Sequence, residues 1–177
     1  MNEPIGCIRP MMRMFFHNYH KKKDLIGAEI GTQRGINAKN ILQNFDMKKF
    51  YLIDPYLKYD GYTENLIEDA YAIAKNNLQQ YDDKIEFILK KSEEAVSYLP
   101  NNLDFVYIDG NHDYEYVRKD IELYYQKVVI DGYIGGHDFN MTYPGVVKAV
   151  KEFAKKNDIT NRWYHHNDWM FVKEKEI

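Results

Sequence analysis

The residues best suited to chemistry are acids and glycines that follow short apolar runs. Leu25-Ile26-Gly27-Ala28-Glu29-Ile30-Gly31-Thr32-Gln33-Arg34-Gly35 ends in a carboxylate and two spaced glycines. It reads as a strand delivering an acid and a tight turn to a nucleotide-like ligand, or as a buried strand entering an ordinary turn. Its Glu-x-Gly-x-x-x-Gly spacing differs from the Gly-x-Gly-x-x-Gly that cradles a dinucleotide pyrophosphate. Gly31 has no Cβ, so the backbone can turn sharply and a ligand can approach closely. Asp54 follows the next apolar run. A carboxylate there can accept both hydroxyls of an adenosine-type ribose, or it can serve a turn before Pro55.

Asp109 and Asp138 close two later apolar runs. Two carboxylates a few Å apart repel, and a divalent cation with oxygen ligands relieves that repulsion. His137 and Asn140 stand beside Asp138 and would complete a mixed nitrogen and oxygen ligand set. Imidazole beside carboxylates suits manganese, iron or zinc better than magnesium. His112, three residues beyond Asp109, has the pKa range to take a proton from a hydroxyl near neutrality. The structural alternatives are a turn capped by Asp138, a core His137, and a His112 that ties down the loop before a helix. Ser92 reads as a helix N-cap followed by Glu93 and Glu94, and it could also meet a purine. His17, His20, His165 and His166 have no comparable position and read as solvated or packing residues.

The elements that must carry these groups alternate. Strands are expected at Ile26–Ile30, Phe50–Ile53, Ile85–Leu89, Leu103–Ile108 and Tyr133–His137, with Trp169–Val172 near the end. Helical periodicity runs through Ala38, Ile41, Leu42 and Phe45, through Ile67, Ala70, Tyr71, Ala74 and Leu78, through Val117, Ile121 and Tyr124, and through Val146 to Ala154. Strand–helix alternation at this spacing predicts a parallel sheet with helices on both faces. Ligands of such sheets sit beyond the carboxyl ends of the strands, and all five parallel strands end there in polar or acidic groups. The sixteen tyrosines are expected mostly as half-buried surface.

With 177 residues the chain is expected to form one domain with a substantial core. A net charge of −3 supplies no global basic field for nucleic acid or an anionic membrane. The lone Cys7 excludes an internal disulfide framework and a zinc ribbon. No apolar stretch approaches the roughly 20 residues of a membrane span, and Met11–Phe16 does not read as a signal peptide. The expected compartment is the cytoplasm.

Together these motifs resemble class I S-adenosylmethionine-dependent methyltransferases over about Leu25 to Lys156. Ala28-Glu29-Ile30-Gly31-x-x-x-Gly35 resembles the glycine motif of the caffeoyl-CoA and catechol O-methyltransferase group. Phe105-Val106-Tyr107-Ile108-Asp109-Gly110-Asn111-His112 and Gly132-Tyr133-Ile134-Gly135-Gly136-His137-Asp138-Phe139 resemble a bacterial branch of antibiotic-sugar O-methyltransferases and cephalosporin-hydroxylase-like proteins. The resemblance implies a doubly wound Rossmann-like, mostly parallel sheet with an antiparallel C-terminal strand. It implies a methyltransferase domain at 25–177 and an N-terminal helical segment at 1–24 that packs on or caps it. Glu29, Gly31, Thr32 and Gly35 would lie near the methionine end of S-adenosylmethionine, Asp54 at the ribose, and Ser92 and Glu93 beside the adenine. Asp109 would border the cofactor and, with Asp138 and His137, hold a divalent metal such as Mg or Mn. His112 would be the base where catechol-type enzymes carry Lys, with Asp109 sharing the catalytic site. Phe139 stands where those enzymes place Asn, which leaves His137 or Asn140 as third ligand.

The implied activity is methylation of a hydroxyl on a small molecule, with no nucleic-acid or membrane partner. Acceptor contacts would come from Met11–Lys23, Tyr56–Thr63, the tail, or the second subunit of a homodimer. The rival readings are a nicotinamide-dependent oxidoreductase, against which the glycine spacing argues, and a non-catalytic S-adenosylmethionine-binding module.

Overall fold

The computed structural model describes residue 6, residues 8–57 and residues 64–177, the side chains of 64–68 excepted. Cys7, the side chain of Ile67 and positions 58–63 of the Tyr56–Thr63 segment therefore lie outside the described residues.

Helix α1 (Pro10–Tyr19) precedes β1 (Leu25–Ile30), α2 (Ile36–Asn44), β2 (Met47–Ile53) and α3 (Glu64–Leu78). Then follow β3 (Ile85–Ile88), the short α4 (Ser92–Ala95), β4 (Leu103–Ile108), α5 (Tyr114–Tyr125), β5 (Val128–Gly136), α6 (Pro144–Lys156), β6 (Arg162–His165) and β7 (Asp168–Val172). Seven strands form one sheet in the order β3-β2-β1-β4-β5-β7-β6. The first five run parallel, while β7 is antiparallel to β5 and to β6. The antiparallel part is thus a hairpin rather than one strand. Its outer member β6 escapes the apolar-run reading because only Trp163 of its four residues is even half-buried.

The β4 strand is buried at every position, as a central parallel strand flanked by helices on both faces must be. Its Val106 and Ile108 join a core with α5 and α6. Its Phe105 and Tyr107 face the opposite way, into a core with α1, α2 and Leu78 of α3. Helix α1 contributes Met11, Met12, Phe15 and Phe16 to that second core. Phe15 meets Phe45, Phe105 and Tyr133 at ring centroid distances of 4.9–5.2 Å. Within the Met11–Lys23 segment, Met11, Met12, Phe15 and Phe16 are thus committed to packing. Most described tyrosines are half-buried or exposed, but Tyr107, Tyr124 and Tyr125 are wholly buried. They tolerate burial because each hydroxyl finds an acceptor.

At the sheet's carboxyl edge, backbone bonds continue one residue past the strands. Gly31 N donates to the Ile53 carbonyl, Asp109 N to that of Ile30, and His137 N to that of Ile108, at 2.8–3.0 Å. The polar residues that follow β1, β4 and β5 thereby share the rigidity of the sheet. Because α1 is part of the core, Phe15→Ala should cost about 3–5 kcal/mol in one cooperative unfolding transition. Urea denaturation monitored at both the tryptophans and the far-ultraviolet signal measures this; a separate early transition would show instead that α1 docks as an independent unit.

Candidate active site

The strand order reverses direction between β1 and β4, and there two cavities of about 700 and 600 Å³ meet. The larger is lined by Asp54, Ser92, Asp109, His112, Asp138 and Tyr143, among others. The smaller is lined by Glu29, Thr32, Arg34, Asn37, His166 and Asn167. Arg9, Gly31, Gln33, Asp109 and His137 border both, so they form the shared wall.

Glu29 is 1% exposed near the end of β1. Its Oε1 accepts from Asn37 Nδ2 at 2.8 Å. Its Oε2, Thr32 Oγ1 and Asn37 Oδ1 are buried without a partner. Such orphaned groups cost free energy unless a ligand meets them. Burial pushes the Glu29 carboxyl up to about 8; nearby Asp109 adds to this and the Asn37 hydrogen bond opposes it. Gly31 adopts φ 87° because the turn passes against Asp109, where a Cβ would lie 2.0 Å from the carbonyl oxygen. Gly35, left-handed at φ 71°, opens α2 and packs against Leu78.

Asp54 uses both oxygens to accept backbone N–H groups, from Gln33 at Oδ2 and from Tyr56 at Oδ1, each at 2.8 Å. It therefore ties the turn after β1 to the turn after β2, while each oxygen keeps a lone pair for a ligand. Burial raises its pKa and the two amides oppose the shift.

Ser92 lines the cavity but is not the N-cap, which is Lys91 with no side-chain cap bond. Ser92 is the first residue of the helix itself, and its hydroxyl donates to Asp120 instead. Glu93 stands outside the cavity lining, exposed and paired with Lys119. Ser92 and Glu93 diverge because successive residues of a helix point about 100° apart.

The chemical centre is compact. Asp109, His137 and Asp138 place one ligand atom each within 4.8 Å of one another. Asn140 Oδ1 accepts the Thr142 amide at 2.8 Å. Asp138 is held at φ 60°, a left-handed conformation that Asp tolerates better than most residues. There it accepts from His112 Nε2 at 2.7 Å and from His137 Nδ1 at 3.0 Å. Burial alone would raise the Asp138 carboxyl; the two imidazoles outweigh it and hold the group well below the usual carboxylate range. The same hydrogen bond raises the pKa of His112, whose ring packs on Tyr143 at 4.2 Å. Gln33, Tyr56, Asp138 and His166 are four of the seven non-glycine residues with positive φ among those described, and all four line these cavities. Backbone strain of this kind gathers at binding sites.

Three participants have no strand-end or glycine signature in the sequence. Arg9, just before α1, reaches Asp109 with Nη2 at 3.2 Å and is the cation nearest that acid. His166, in the tight turn between β6 and β7, lines the smaller cavity. Asp168 opens β7 and is fully buried; it accepts the Met11 amide at 2.9 Å and the Tyr107 hydroxyl at 3.3 Å. Its Oδ1 lies 3.7 Å from His137 Nε2. Burial pushes Asp168 up to about 6 against the pull of the Met11 amide and His137. The signals available were an Arg before an N-terminal Pro and an Asp before an apolar strand, both common in unrelated contexts.

A profile of the methyltransferase domain family matches residues 28–139, and the chain belongs to that family of S-adenosylmethionine-dependent enzymes. An uncharacterised protein of Acanthamoeba polyphaga mimivirus is 36% identical over 146 residues, 77% of this chain; the chain spans 62% of that relative's length. Among solved structures, an rRNA methylase from Streptococcus thermophilus has a TM-score of 0.68 at 15% identity, covering 96% of this chain and 100% of that one. The O-methyltransferase NovP has 0.63 at 21%, covering 91% and 80%. MycE methyltransferase, in complex with Mg, S-adenosylhomocysteine and mycinamycin VI, has 0.65 at 14%, covering 94% and 49%. At these identities the structures share the fold. Among the described residues no helix is long and apolar enough to cross a membrane.

The Glu29 carboxyl makes a pH signature. Its folded pKa lies above the unfolded value, so the stability it contributes is complete below about pH 4.5 and is lost as pH rises through about 8. Glu29→Gln should match the parent near pH 4 and be increasingly more stable than it up to pH 8. Denaturation midpoints across that range test this, and parallel pH curves for the two proteins would refute it.

Proposed function

We propose that the protein transfers the methyl group of S-adenosylmethionine to a hydroxyl of a small molecule, assisted by a divalent cation. The observation that carries this reading is the Asp109–His137–Asp138 cluster with His112, set beside a cavity wall of unpartnered polar atoms. The residues fit the cofactor. Asp54 offers lone pairs for a ribose diol, Gly31 leaves room for a close backbone approach, and Glu29, Thr32 and Asn37 offer the orphaned atoms that a polar amino-acid end would meet. They also fit a cation, with two carboxylates and one imidazole from adjacent strand ends. That donor set favours manganese, iron or zinc over magnesium.

S-adenosylmethionine, when bound, supplies an electrophilic methyl, and a cation at the acids would lower the acceptor hydroxyl's pKa. The chain supplies position and a proton acceptor. With Nε2 of His112 engaged by Asp138, Nδ1 is the nitrogen left for the acceptor's proton. Asp138 thus orients the base as well as offering a metal ligand, and Tyr143 fixes the plane of the ring. Methyl transfer then depends mainly on alignment of donor and acceptor. The net charge of −3 supports a small molecule over a nucleic acid as acceptor.

Calorimetry should show S-adenosylhomocysteine binding that weakens at least about tenfold in Asp54→Ala, the cost of roughly one charge-assisted hydrogen bond. The same variant should melt earlier, because two backbone amides lose their acceptor. Unchanged affinity would remove Asp54 from the site. Manganese binding, followed by electron paramagnetic resonance, should fall by a similar factor in Asp138→Asn. Full turnover of hydroxyl acceptors in the presence of EDTA would retire the metal and leave His112 as the sole assistance.

A further inference from the structure

Ser92, on the wall of the larger cavity, is gripped by α5. Its Oγ donates to Asp120 Oδ1 at 2.5 Å, and its carbonyl accepts the Tyr124 hydroxyl at 2.8 Å. The next residue, Glu93, pairs with Lys119. Asp120 is 4% exposed and shares the buried face of α5 with Val117, Ile121 and Tyr124. A carboxylate buried in mid-helix is costly, and the Tyr124 hydroxyl already ties α4 to α5. The mechanism above gives Asp120 no role.

A serine hydroxyl has one proton and two lone pairs. Asp120, when ionised, can only accept, so the Ser92 proton is committed inward. What Ser92 then presents to the cavity is a pair of acceptor sites. Leu57, Ala70, Lys91 and Tyr116 line the same cavity as Ser92, a half-apolar setting for a flat ring, and Asp54 lines it too.

We infer that Asp120 is a specificity-positioning residue: by capturing the Ser92 proton it makes the hydroxyl an obligate acceptor, so the site takes a purine with a 6-amino donor and rejects the 6-oxo counterpart. Asp120 does not touch the base; it acts through Ser92. The inference rests on the reading of this cavity as the S-adenosylmethionine site. It adds a means of base discrimination by a residue far from every strand end.

The test compares S-adenosylhomocysteine with S-inosylhomocysteine by calorimetry. Burial pushes Asp120 up to about 7, with Glu93 reinforcing and Ser92 and Lys119 opposing, so the titrations are run at pH 8.5. The parent should prefer the adenosyl ligand by at least about tenfold, since a buried acceptor facing a carbonyl oxygen forfeits its hydrogen bond. In Asp120→Asn the amide can turn its N–H toward Ser92, which frees the serine proton, and the preference should fall to within about threefold. Ser92→Ala should also narrow it, and this variant carries the test should Asp120→Asn fail to fold. A purely structural tie would weaken both ligands alike and leave their ratio unchanged. An unchanged ratio in the variants, or a parent that binds both ligands equally, overturns the inference and leaves the cofactor reading standing. A parent that binds neither overturns the cofactor reading and the inference with it.

Discussion

The organising constraint of this protein is the crowding of carboxylates at one edge of a sheet. Glu29, Asp54, Asp109, Asp138 and Asp168 come from five strands and converge within one partly desolvated region. Unpaired ions there would be prohibitive, and the structure answers in three ways. Glu29 and Asp168 are pushed toward the protonated form by burial. Asp54 is met by backbone amides. Asp109 and Asp138 draw Arg9, His112 and His137 around them. The charge distribution that folding must accommodate is also what any ligand at this edge would meet.

Asp168 shows how closely folding and site are joined. It satisfies the Met11 amide, one of the N–H groups at the start of α1 that lack a partner within the helix. It also accepts the hydroxyl of Tyr107, on the central strand, and stands beside His137. One buried carboxylate thus links the N-terminal helix, β4 and the acid–imidazole edge of β5. Arg9 reaches Asp109 because α1 begins where it does, and α1 is seated there by Phe15 and its aromatic neighbours. The N-terminal segment is therefore part of the site's wall as well as part of the core.

The two cavities differ in lining. The smaller has orphaned acceptors and flanking cations suited to a zwitterionic group, and the larger joins a half-apolar wall at Ser92 to the acid–imidazole cluster. Arg9, Gly31, Gln33, Asp109 and His137 stand between them, so a ligand that spans both must pass the left-handed turn at Gly31. Solved structures that share this fold include an rRNA methylase and a methyltransferase in complex with mycinamycin VI. A shared fold does not fix the acceptor.

The sequence by itself determined the sheet. Period-two and period-3.6 patterns are local and set by burial, so the five parallel strands, the helices on both faces and the strand-end acids Glu29, Asp54, Asp109 and Asp138 were all legible. The family resemblance was legible for the same reason: its motifs are short and contiguous. The tertiary structure decided the partnerships between distant residues. Arg9 with Asp109, Asp168 with Met11 and Tyr107, and Ser92 with Asp120 span 28 to 157 positions. No local pattern encodes such pairs, because they follow from how α1, α5 and the β6–β7 hairpin pack against the sheet. The same packing turned Ser92 from an expected cap into a donor to α5, drew Glu93 to Lys119, and set His137 beside the acids. Strand ends are written in the sequence one at a time; which of them share a charge is settled only when the sheet closes.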